Sequence, residues 1–359
     1  MRWAGLWREI ARNITSGTTG VLLFGVLAVT LLGGIALSDL TMIRNLSQEA
    51  EQYRSSGAAV LILRSPGGVD GAACDALGRL PGVSAGALRE APERLVPAAL
   101  PAAGLATHET TPGLPDLLGA AGRDVGGVWL PESTAESLGV GAGGPLVFTT
   151  GTATVAGTYP WDEKDGRRPG YGYAVLVPGP AAGAFDECWA TAWPAMPGLE
   201  ALMRLSLSEG HDEEEPAAVE RLQLNSTLGT RFDGPERFTA RPTSLAPIWL
   251  GAAAVGLGFV AVRRRKLELA SELHAGISRV DVAVKVLVET AAWGLPAALL
   301  IVTATSLVAG SAPVLDRAAL LTHGALFGVI ALLGTMLGAS LALLVTREAH
   351  LNRYFKTRL

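Results

Sequence analysis

Few clusters in this chain of 359 residues carry side chains that could do chemistry. The run His211-Asp212-Glu213-Glu214-Glu215 offers metal-ligand types, but contiguous acids between Gly210 and Pro216 read as a solvated loop rather than a cation cage. His323 falls in an apolar run, where a proton relay needs a second intramembrane ionisable group. Glu289, the one candidate, sits at the far end of another apolar segment, so His323 reads as interfacial. Cys74 and Cys188 are the only cysteines. They are either a disulfide in an oxidising compartment or two buried thiols. The phosphate loop G-x-x-x-x-G-K-[ST] is missing, as are H-E-x-x-H, C-x-x-C and G-x-S-x-G. No catalytic residue, metal site or cofactor site is expected.

The informative charges are concentrated in one polar island, Arg263 to Glu289, between long uncharged runs. Four cations, Arg263 to Lys266, follow the apolar run Leu245–Val262, as expected where a membrane helix leaves on the cytoplasmic side. Leu269, Leu273 and Ile277 form a helical stripe, with Glu268 and Glu272 together on a second face. Gly276 is placed to stop that helix, and Ser278 with Asp281 forms an S-x-x-D cap for the next. The spacing predicts a short amphipathic helix on the membrane surface, joined by a tight turn to a transmembrane helix. The alternative is an ordinary basic loop.

Charge distribution orients the elements that hold this island. Between Asp39 and Arg241 there are 15 Lys/Arg and 26 Asp/Glu, a net of −11. The segments read as cytoplasmic hold 13 and 6, a net of +7. Basic segments thus flank the apolar spans on one side only, which puts that side in the cytoplasm. The expected organisation is a cytoplasmic amphipathic helix (1–15), transmembrane helix 1 (16–38), an extracytoplasmic domain (39–244), transmembrane helix 2 (245–262), a cytoplasmic coupling helix (263–285), transmembrane helices 3 (286–309) and 4 (318–346), and a cytoplasmic tail (347–359). The fold class is therefore an integral membrane α-helical protein with an inserted α+β domain. Rich Gly, Ala, Val and Leu usage suggests a bacterial source, and the charge pattern over four spans puts both termini inside, so a bacterial plasma membrane is the expected location.

Within the insert, strands are expected at 58–63, 83–88, 126–130 and 171–177, with a hairpin around Gly151. Helices are expected at 69–80, 131–138, 198–207 and 216–224. This order suggests a β-rich subdomain, at about 99–180, nested in an α+β module. In the fourth span, Gly324-x-x-x-Gly328 and Gly334-x-x-x-Gly338 mark faces for close helix packing.

The island resembles that of the FtsX/MacB-type permeases of ABC transporters, whose pattern is R-x-E-(apolar)-x-x-x-(polar)-x-x-G-A-S-x-x-x-(apolar) with an acid where the third span begins. Lys266, Glu268, Leu269, Gly276, Ser278, Val282 and Glu289 occupy those slots, with Ile277 in the alanine position. Cys74 to Val83 resembles the family's first periplasmic helix–strand unit, and Ala135 to Gly144 its step into the nested β subdomain. The resemblance implies a permease without chemistry of its own that binds a separate ABC ATPase through Lys266, Glu268, Leu269, Glu272, Leu273, Gly276 and Ser278. It also implies a second permease copy, identical or sister, in the lipid bilayer, and no nucleic acid partner. The expected function is to transmit ATPase-driven motion that exports or extracts an amphiphilic peptide, lipid or lipoprotein. The alternatives are a signalling scaffold for a cell-wall hydrolase or sensor, and a bacteriocin-associated immunity protein without an ATPase.

Overall fold

Helices α1 (Trp3–Thr15), α2 (Val21–Leu27) and α3 (Gly33–Ser55) come first, with one π turn, Ala28–Leu32, between α2 and α3. They are followed by β1 (Leu61–Asp70), α4 (Gly71–Leu77), β2 (Val83–Glu90), β3 (Ala106–Thr110), α5 (Gly113–Leu117), β4 (Ala121–Gly122), β5 (Val128–Pro131) and α6 (Glu132–Leu138). Next are β6 (Pro145–Phe148), β7 (Gly151–Tyr159), β8 (Ala174–Pro178), β9 (Ala184–Ala192), α7 (Leu199–Arg204) and β10 (Glu220–Gln223). The chain continues with α8 (Gly234–Thr239), α9 (Ala246–Arg263), α10 (Lys266–His274), α11 (Arg279–Gly310) and α12 (Val314–Val345). This computed structural model describes residues 3–122, 126–208 and 219–346. The acidic run His211–Glu215 and the tail 347–359 lie outside the described residues. Backbone contacts divide the chain into a helical unit, Met1–Glu49 with Asp233–Leu359, and a β unit, Ala50–Phe232.

Among the described residues, four stretches are long and apolar enough to cross a membrane by length and composition: Val21–Ser55, Ala246–Arg263, Arg279–Gly310 and Val314–Val345. The first continues past residue 38, the expected end of its span, to Ser55. Its buried stripe is Phe24, Ala28, Leu32, Ala36 and Leu40, one residue in every four. That spacing overshoots an α-helical turn of about 3.6 residues, and the wider π turn absorbs part of the excess. The stripe packs with Leu250 and Ala254 of α9, Trp293 and Ile301 of α11, and Phe327 of α12.

Helix α12 contacts two neighbours through small residues. A Cβ at Gly328 would lie 2.4 Å from Val302 Cγ2 of α11, and one at Gly324 2.5 Å from Thr305 Oγ1. A Cβ at Gly338 would lie 2.0 Å from the Val255 carbonyl of α9, and one at Gly334 2.7 Å from Ala254 Cβ. Ten residues turn a helix by about 80° short of full circles, so the two glycine pairs face different helices.

The β unit holds one ten-stranded sheet in the order β10-β1-β9-β2-β3-β8-β5-β7-β4, with β6 on β7. Strands from residues 106–178 occupy one contiguous end, and the flanking segments supply the other. The two ends meet where β2 pairs with β3 over Leu88–Glu90 and His108–Thr110. Of the segment 216–224, expected to be helical, residues 216–218 lie outside the described residues, and Glu220–Gln223 is corrected to strand β10, which pairs antiparallel with β1 from Leu61↔Gln223 to Arg64↔Glu220. Cys74 of α4 and Cys188 of β9 are joined by a disulfide, with Cα atoms 5.8 Å apart, both fully buried. On the opposite face of β9, the buried Glu187 accepts hydrogen bonds from Arg168 Nη1 at 2.9 Å and Trp189 Nε1 at 2.8 Å, which offset the cost of burying its charge.

Candidate functional site

The island folds as two helices and a turn. Helix α10 ends at His274, and Gly276 takes φ 85°, a left-handed conformation that an L side chain resists. Ser278 then caps α11, its Oγ accepting from the Asp281 N–H at 3.1 Å. Leu269 is 1% exposed, and it packs with Val262, Val282, Val286, Ala339 and Ala342, with Leu273 and Ile277 alongside. The apolar face of α10 therefore seats it on the ends of α9, α11 and α12.

Its charged face is also turned inward. Lys285 and Glu289, one turn apart on α11, are only 2% and 3% exposed. Lys285 Nζ donates to Glu272 of α10, and to Glu9 Oε1 of α1 at 3.2 Å. Glu289 accepts from Arg265 Nη1, just before α10, and from Asn13 Nδ2 of α1 at 2.9 Å. Arg265 additionally forms a two-point bond with Glu268, at 2.9 and 2.6 Å. One lysine–glutamate pair on α11 thus clamps α1 on one side and α10 on the other. Burial raises the Glu272 carboxyl above its ordinary range despite the attraction of Lys285. The Arg265 hydrogen bond holds Glu268 below it. Burial opposes the Arg265 charge, but Glu268 and Glu289 outweigh that and raise the guanidinium further.

Of the residues expected to meet a partner, Leu269 is buried, Glu268, Glu272 and Leu273 are partly buried against the bundle, and Lys266 begins the helix. Gly276 and Ser278 shape the turn and are exposed. The outward side of this region is instead Ser271, His274 and Ala275, followed by Val280 at 71% exposure. Sequence reasoning missed Glu9, Asn13, Arg265 and Lys285. Lys285 carried a readable signal, being the sole basic residue between Arg279 and Arg317 and lying four before Glu289.

No family model and no curated protein matches this chain. Its neighbours are found among solved structures. The chain is similar to the periplasmic region of MacB from Actinobacillus actinomycetemcomitans, at 12% identity over 49% of this chain and 94% of that one, with a TM-score of 0.34. It is also similar to a domain of a putative permease protein from Porphyromonas gingivalis, at 13% identity over 47% of this chain and 92% of that one, with a TM-score of 0.29.

A second ion cluster lies at the other end of the bundle, near the finish of α11. Asp39 of α3 is fully buried and accepts from Arg241 Nε at 2.9 Å. His323 Nε2 of α12 lies 3.0 Å from the other carboxylate oxygen, and the ring stands edge-on to Phe327. His323 is therefore paired with Asp39, a partner that sequence reasoning had assigned to the insert. The available signal was positional: Asp39 ends one uncharged run, Arg241 precedes the second span, and His323 lies within three turns of the start of the fourth.

Proposed function

We propose that this chain is the permease subunit of an ABC-type transporter complex, and that a separate ATPase docks on the exposed side of α10 and the turn at Gly276. The clamp is the observation that carries this reading. A rod seated by Leu269 and Leu273, and tied by buried charges to the root of a spanning helix, cannot be displaced without moving that helix. Lys266, Glu268, Leu269, Glu272 and Leu273 hold the rod, while Gly276 and Ser278 set its angle to α11. Nucleotide-driven motion of the ATPase would pass through α10 and α11 to the β unit, exporting or extracting an amphiphilic cargo. In this reading the α10 end is cytoplasmic, the β unit is extracytoplasmic, and a second permease copy completes the complex.

The test separates docking from folding. Glu268→Lys with Leu269→Asp is a poor probe, because an aspartate at a fully buried position unseats the helix itself. Ser271→Trp with His274→Glu alters exposed positions only. That variant is expected to lose co-purification of the ATPase while its thermal unfolding stays at the wild-type temperature. Retained co-purification would sink the docking assignment.

A further inference from the structure

A groove of about 420 Å³ runs between α11 and the first spanning stretch, along α2 and its π turn. Small-ligand sites commonly fall between about 300 and 1,000 Å³. Leu22, Val26 and Val29 form one side, and Trp293, Pro296 and Leu300 the other. Small residues, Gly25, Ala292 and Ala297, leave the space between them. Packing does not require that glycine, since a Cβ there would meet only Trp293 Cβ, at an ordinary contact distance of 3.8 Å. The rim is open, with Leu22, Val26 and Leu300 84%, 61% and 56% exposed. From Val21 to Thr30 the groove rises about 14 Å, close to half of a hydrocarbon core about 30 Å thick. That length suits an acyl chain entering from one leaflet and is too short for a helix that crosses both.

Helix α1 is bound at the foot of this groove. Glu289, which accepts from Asn13 of α1, lies one turn before Trp293 on the same face of α11. Lys285, one turn lower again, holds Glu9. With Glu9 and Asn13 turned to α11, the free side of α1 carries Arg8 and Arg12, four apart, and Trp7 at 53% exposure. Both arginines are exposed, and no hydrogen bond or ion pair engages either guanidinium among the described residues. The acids nearby are answered already: Glu268 and Glu289 by Arg265, Glu9 and Glu272 by Lys285. Counting every charge in segments 3–20 and 263–289, eight Lys/Arg against five Asp/Glu leave a net of +3. The foot is therefore cationic, and the groove above it is apolar.

We infer that this groove binds an anionic phospholipid from the leaflet at the α10 end of the bundle. One acyl chain lies along Val26, Trp293 and Leu300, and the phosphate meets Arg12 and Arg8. A zwitterionic lipid brings its own cation to the same place, which two unanswered arginines disfavour. The inference goes beyond the permease reading. It needs a bilayer around the four apolar stretches, but no ATPase and no cargo.

The test places the full chain in phosphatidylcholine nanodiscs doped with phosphatidylglycerol or phosphatidylcholine brominated in the acyl chain, because bromine quenches tryptophan fluorescence at short range. The Trp293 signal is the difference between wild type and Trp293→Phe. Brominated phosphatidylglycerol is expected to half-quench it at about a tenfold lower mole fraction than brominated phosphatidylcholine. Arg8→Gln with Arg12→Gln should bring the two lipids together. Gly25→Leu, which fills the groove, should remove the quenching by both. Arg279→Gln deletes an exposed cation about 15 Å along α11 from Glu289, beyond a screening length of about 10 Å, and should leave the preference intact. Equal quenching by the two lipids, a preference that survives the double arginine change, or its loss in Arg279→Gln would each overturn the inference. So would a Trp293 that neither lipid quenches, the result expected if a second copy of the chain covers the groove. If Trp293→Phe unfolds, the difference between wild type and Gly25→Leu isolates the same signal. No ATPase is present in these titrations, so the docking assignment and the lipid site fail separately.

Discussion

Lys285 can be buried because its charge is answered from two helices at once. An ammonium removed from water costs several kcal/mol unless it is paired, and Glu9 and Glu272 supply the pairing. Lys285→Met leaves both carboxylates without their cation. Breaking a buried pair from one side costs about 3–5 kcal/mol. Glu9 and Glu272 keep 20% and 14% of their surfaces in solvent, which reduces the expected loss to roughly 2–3 kcal/mol. It should appear as a lower unfolding temperature in detergent, and the double change Lys285→Met with Glu272→Leu should recover part of it. The two glutamates of α10 should also titrate with opposite signs. Glu268 is held low, so its stabilisation is present above its unfolded value and is lost as pH falls through its folded value. Glu272 is held high, so stability declines as pH rises from its unfolded to its folded value. Glu268→Gln should therefore flatten the acid side of a plot of unfolding temperature against pH. Because Glu268 is 40% exposed and screened, the effect should be about 0.5–1 kcal/mol and shrink in high salt. An unchanged acid limb would show that Arg265 does not hold Glu268 in solution.

At the scale of elements, local signals were readable and remote ones were not. The stop at Gly276 and the cap at Ser278 follow from residues within one turn of each other, so the sequence displays them. Strand β10 could not be read that way: Glu220–Gln223 is fixed by pairing with β1, more than 150 positions away, and that contact overrides a helical pattern. The same distance hid Asn13 from Glu289 and Asp39 from His323. The glycines of α12 show a middle case, since their spacing marked a packing face but did not name the helix it faces. Gly338→Ala must push apart α9 and α12, because no side chain can move to relieve a contact with the Val255 carbonyl. A loss of about 2–3 kcal/mol is expected, whereas Gly310→Ala, with nothing near its Cβ position, should be nearly neutral. Equal unfolding temperatures for the two variants would contradict the packing. In the β unit, the disulfide ties α4 to β9 across 114 positions. Replacing both cysteines by serine should cost about 2–5 kcal/mol and abolish the mobility shift on reduction. A shift that survives Cys74→Ala would refute the pairing.

For the whole molecule, the governing asymmetry is electrical. The segments read as cytoplasmic from the sequence carry +7, while the chain from Asp39 to Arg241 carries −11. Inserting the protein the other way would carry four consecutive cations, Arg263 to Lys266, across the bilayer. Disulfide formation favours the same orientation, because oxidising compartments lie outside the cytoplasm and both cysteines are in the β unit. The chain has no other cysteine, so an added thiol reports on a silent background. Ser271→Cys on α10 and Ala103→Cys in the β unit replace exposed residues at positions that should lie on opposite sides of the membrane. In intact bacterial cells freed of any outer barrier, a membrane-impermeant maleimide is expected to label the thiol at 103 at once. The thiol at 271 should react only after the membrane is permeabilised. Prompt labelling at 271 in sealed cells would put the clamp on the side that has no nucleotide, and no ATPase could then drive it.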